Sequence, residues 1–116
     1  MKSREHLVEF CAASGADAQR LIIILSLGMC RALEGRLVTG DYSCHRLFGP
    51  ALISAARRAD ASKGLLDALL LATELDAIER LVADDLERSL ADVQARLLEE
   101  LRLLAPVGLE GSRWSV

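Results

Sequence analysis

At 116 residues the chain has the length of one domain, which buries roughly two thirds of its unfolded surface. A formal charge of −3 and a pI near 5.4 deny it the clustered positive field that a general phosphate-backbone binder needs. Leu supplies 23 residues and Ala 17, against four aromatics and two prolines, so the composition excludes a sheet protein and predicts an all-α one.

Residues 1–14 are weakly patterned, with Leu7, Phe10 and Cys11 able to form one face of a short helix. Ser14 with Asp17 three residues later reads as a helix start, and Gly35 as its C′ stop. The helix between them, about residues 16–34, is apolar on nearly every side over residues 21–30, the pattern of a central core element. Gly28 inside that run predicts close approach of another helix, since glycine there costs about 1 kcal/mol relative to alanine. The run is ten residues long, half of what a membrane span needs, and no small-residue cleavage site follows it.

Thr39 or Asp41 caps a brief helix ending near Leu47, and Gly49 stops it. Pro50 then occupies a favoured first helical position for a helix through about Ala59, with Leu52, Ile53 and Ala56 inward. Ser62 caps the next helix, from Lys63 to about Leu75, again apolar over most of its circumference. Beyond it, Leu75, Ile78, Val82, Leu86, Leu90, Val93, Leu97, Leu101 and Leu104 recur at a mean step of about 3.6, the α-helical period. Asp76, Arg80, Asp84, Arg88, Asp92, Arg96 and Glu100 alternate in sign at every fourth residue, which reads as a solvated helix face. A D-x-x-E cap at Asp76 and Glu79 predicts a break near residues 74–77, and Asp84 with Asp85 a second near residues 82–85. Pro106 and Gly108 end the pattern, leaving residues 110–116 as a tail on which Trp114 folds back.

The stretches LSLGMCRALEGRLVTGDY (25–42), LFGP (47–50) and LLATELDAIERLV (70–82) together resemble a family of small bacterial proteins of unknown function. The resemblance covers about residues 21–104, while both ends depart from it. It implies a compact helical fold and no catalytic residues.

Residues 67–100 carry about −7 of charge, and Glu74, Asp76, Glu79, Asp84, Asp85 and Glu87 form a candidate acidic face for a basic partner. Asp76, Glu79 and Asp84 would hold a hard cation only if the chain bent to converge them. Cys44 and His45 are sequence neighbours, about 100° apart on a helix, so they form no nucleophile–base pair by themselves. Three cysteines without CxxC spacing predict reduced thiols in a cytosol, with Cys30 in the core and Cys11 core or unassigned. Residues 39–59 mimic a helix-turn-helix, but Arg57 and Arg58 sit at the wrong end of the second helix for reading bases.

These readings predict a compact single-domain all-α bundle, spanning residues 1–116, of five or six helices around a buried helix at about residues 17–34. Two helices apolar all round are too much for a domain this small to cover, so a homodimer or another bound protein is expected. The functional expectation is a cytoplasmic, non-enzymatic interaction protein, immunity-type or adaptor, without cofactor, metal or membrane. The alternatives are a small enzyme or metal binder using the acidic cluster or Cys44 with His45, then a DNA-binding regulator.

Overall fold

The computed structural model describes residue 12 and residues 14–104. Expectations placed on Leu7, Phe10, Cys11 and Trp114 lie outside them. Six α-helices follow in order, with no strand among the described residues: α1 (Gly15–Glu34), α2 (Gly40–Arg46), α3 (Pro50–Arg58), α4 (Lys63–Ala72), α5 (Leu75–Leu81) and α6 (Leu86–Leu103). A single 3-10 turn, Ala83–Asp85, joins α5 to α6.

Local chemistry starts most of these helices. Ser14, Thr39 and Ser62 each accept a backbone N–H three residues on (Asp17, Tyr42 and Leu65, at 3.2, 3.0 and 3.0 Å), satisfying an otherwise orphaned donor. Pro50 opens α3 as expected. The end of α1 departs from expectation by one residue. Gly35 is the cap residue at φ −81°, and Arg36 takes the left-handed position at φ 60°. Arg36 N–H donates to Leu33 and Leu37 N–H to Ala32, so the Schellman closure forms with an arginine where glycine would be less strained. Asp60 (φ 59°) closes α3 in the same way.

Residues 63–104 are three helices rather than one. The first break falls at Thr73–Glu74, at the start of the expected window, although Glu74 makes no side-chain cap. Asp76 lies inside the first turn of α5, and Glu79 reaches across to α2 instead of capping its own helix. The second break lies at Val82, as expected.

Helix α6 packs most extensively on α1 and α4 and supplies the centre of the core. Leu90, Val93 and Leu97 meet Ile23, Cys30 and Leu33 of α1, and Leu65, Ala68, Leu69 and Ala72 of α4, in one buried cluster that Phe48, Ile53 and Leu75 complete. Polar links sew the helices together. Gln94 donates to Glu34 (3.4 Å), Gln19 to the carbonyl of Ala59 (2.9 Å), and the Ser62 hydroxyl to Glu100 (2.6 Å). The alternating ladder is therefore only partly skin. Arg80–Asp76 and Arg96–Asp92 pair at four-residue spacing, Arg88 pairs with Asp85 instead of Asp84, and Glu100 ties α6 to α4.

One buried group lacks a partner. Ser26, fully buried on α1, has the one buried side-chain polar atom among the described residues without a hydrogen bond. Removing a desolvated, unpaired hydroxyl and gaining helix propensity should stabilise the fold. Ser26→Ala is expected to add about 1 kcal/mol, or roughly 4–8 °C in thermal melting. A melting temperature equal to or below wild type would show that the hydroxyl is satisfied in solution.

Candidate interaction surface

The six acidic residues do not converge on one point. Asp76 and Glu79 stand at the N-terminus of α2, where Glu79 Oε1 accepts the Gly40 N–H at 2.7 Å and Asp76 pairs with Arg80 at 3.4 Å. Asp84 and Glu87 line a cleft of about 250 Å³ with Leu33, Glu34 and Arg36, where the end of α1 meets the start of α6. Asp85 pairs with Arg88, and Glu74 is exposed between α4 and α5. Glu79 is thus bound up in the architecture, whereas Glu74, Asp84 and Glu87 are open to solvent. Among the described residues no three His, Cys, Asp or Glu side chains are grouped to hold a metal ion.

Cys44 and His45 diverge. The Cys44 sulfur faces the carbonyls of Thr73 and Ala72 on the α4 side, at 3.6 and 3.9 Å. His45 is exposed, and its Nδ1 lies 2.9 Å from the Asp41 carbonyl and 3.1 Å from its carboxylate. The backbone contact with Asp41, followed by its negative charge, raises the imidazole pKa above the usual 6.5. Histidine and thiol therefore serve separate neighbours, and among the described residues no histidine or carboxylate is hydrogen-bonded to Cys44.

Cys30 is fully buried, and burial followed by the charge of Glu34 pushes its thiol up to about 12. A thiolate population that small leaves Cys30 inert at neutral pH. Peptide mapping after brief iodoacetamide treatment should show Cys44 alkylated at least about tenfold faster than Cys30. Equal rates would mean that α1 opens far more readily than its packing indicates. At the end of α3, Arg57 and Arg58 are exposed, while its N-terminal turn presents Pro50 and Ala51, which offer bases nothing to bond.

Besides scattered exposed side chains such as Leu81, Leu98 and Leu103, an apolar surface that no described residue covers lies on α1. Of its apolar run, Ile22, Ile23, Ser26 and Cys30 turn inward, yet Ile24 remains 52% and Leu25 39% exposed. Gly28 shares that outer side. A Cβ built there meets nothing within 4 Å, so the close approach expected at Gly28 is not made by any described part of this chain. Helix α2 forms the second wall of an open groove of about 800 Å³. Tyr42 and Leu47 line it together with Ile24, Leu25, Gly28 and Met29. Arg46 lies over the Tyr42 ring, 5.6 Å from its centre, and Arg31 pairs with Glu34 at 3.2 Å on the neighbouring turn. The surface is concave and mostly apolar, with Arg46 as the one charged residue lining it among the described residues. An uninterrupted apolar run hides from the sequence which of its residues face out.

No described helix is long and apolar enough to cross a membrane. The chain belongs to the family described as protein of unknown function DUF3969, whose family model matches residues 14–116. No curated protein and no solved structure matches it.

Proposed function

We propose that this DUF3969 member is a non-enzymatic interaction protein of a reducing, cytosolic setting, and that its working surface is the apolar groove between α1 and α2. The observation that carries the reading is the outer side of α1, where Ile24, Leu25 and an uncovered Gly28 stand together. A mid-helix glycine costs about 1 kcal/mol relative to alanine, and no contact with the described residues offsets that cost. An exposed cluster of large apolar side chains around such a notch is the kind of patch that marks a protein contact. The exposed carboxylates of Glu74, Asp84 and Glu87 lie outside the groove, so an acidic face docking a basic partner in an adaptor or immunity-type role is a second reading, separate from this one.

The reading is tested by chemical cross-linking in cells that express the tagged full-length chain. Wild type should give a defined cross-linked species that Ile24→Glu removes, while Ser54→Glu, on an exposed site of α3, leaves it unchanged. A species equally abundant with Ile24→Glu, or no species at all, would overturn the proposal.

A further inference from the structure

We propose that the occupant of this groove is a second copy of the chain, with the two α1 helices antiparallel about a two-fold axis passing at Gly28. This rests on the interaction reading and names its partner. A two-fold contact needs a self-complementary patch, because each residue of one copy meets a symmetry-matched residue of the other. The outer ridge of α1 has that property. Ile24, Gly28 and Ala32 follow at four-residue intervals along one helix face. Antiparallel pairing centred on residue 28 sets Gly28 against Gly28 and brings Ile24 of each copy opposite Ala32 of the other. A large side chain thus meets a small one on both sides of the axis, and the two glycines let the backbones close at the centre.

Charge favours a like partner over an oppositely charged one. The chain carries −3, but Glu74, Asp76, Glu79, Asp84, Asp85 and Glu87 do not line the groove. The ions that border it are engaged within the copy, Arg31 with Glu34 and Arg46 with the Tyr42 ring. The carboxylates of two copies are therefore not brought together here, and a basic partner would meet the Arg46 guanidinium rather than an opposite charge.

The area is also of the right order. Ile24 (52%), Leu25 (39%) and Tyr42 (45%), with half-buried Met29, Val38 and Leu47, present on the order of 400 Å² of apolar surface per copy. A standard interface buries about 800 Å² per partner, with such a patch as its core and a polar rim around it. Exposed Arg31 and Arg46 are placed to form that polar rim.

Sedimentation of the full chain across low to high micromolar concentration should give a species of twice the 12.6 kDa chain mass. Ile24→Glu, a change at an exposed site that circular dichroism should show to be folded, is expected to weaken the dimer at least about 100-fold. Register is read by oxidation. Ile24→Cys with Ala32→Cys in one chain should link copies above the wild-type background from its own cysteines. Ala32→Cys alone should not, because the axis separates the two copies of residue 32 by about 12 Å along the helices. Linking by Ala32→Cys alone would overturn the antiparallel arrangement. A monomer at every concentration would overturn self-pairing. If Ile24→Glu still removed the cellular cross-linked species from such a monomer, the interaction reading would stand without its partner; if not, both would fall.

Discussion

Gly40→Ala is expected to lower thermal stability by about 2–3 kcal/mol, or roughly 8–20 °C in melting temperature. The added methyl would lie 2.8 Å from the Asp76 Cα and 2.9 Å from Glu79 Oε1. The first neighbour is backbone, so the clash is relieved only by moving α5 away from α2. That movement also stretches the 2.7 Å bond by which the Glu79 carboxylate holds the Gly40 N–H. Overpacking therefore compounds the loss of a charge-assisted cap. Glu79→Ala separates the two effects, because it removes the cap without adding volume, and should cost about 1–2 kcal/mol. Wild-type melting of Gly40→Ala would mean that α2 and α5 are not in contact at this point.

Leu97→Ala should cost about 2–5 kcal/mol, while Val82→Ala should change stability by less than about 0.5 kcal/mol. Both residues belong to the same 3.6-residue apolar series, so the contrast tests the tertiary structure rather than the pattern. Leu97 is fully buried on α6, at the meeting of α1 and α4, and truncation there leaves a cavity as well as losing transfer energy. Val82 sits at the break after α5 and is 48% exposed, so few contacts are lost. Chemical denaturation of the two variants, with unchanged dependence on denaturant, measures the difference. Equal losses would mean that Val82 is packed as deeply as Leu97, contrary to a break at that point.

The sequence was most legible where the physics is local. Ser14, Thr39 and Ser62 cap their helices across three residues, and Pro50 presets its own backbone angle, so each start was readable from a short window. Glu79 misled because its partner, Gly40, lies 39 residues away in sequence, beyond the reach of any capping pattern. The stop of α1 slipped by one residue because Gly35 keeps φ −81° as the cap and Arg36, rather than glycine, enters the left-handed region. The uncovered face was anticipated only as a surplus of apolar residues. Ile22, Ile23, Ile24 and Leu25 are chemically near-equivalent neighbours, so periodicity gives no phase, and only the packing of α1 on α6 decides that Ile23 is buried and Ile24 is not. The six acidic positions were legible as a charge excess, but the separation of Asp76 and Glu79 at the α2 junction from Asp84 and Glu87 in the cleft at the end of α1 is a product of the chain's two bends.

Methyl relaxation by a soluble paramagnetic agent tests most directly whether α1 keeps an outer face that its own chain leaves bare. In a sample diluted until sedimentation shows a single chain, the Ile24 and Leu25 methyl groups should relax strongly while those of Ile23, one residue away, remain shielded. Ile24 shielded as fully as Ile23 in that monomer would contradict the account, because the face would then be closed by the chain itself.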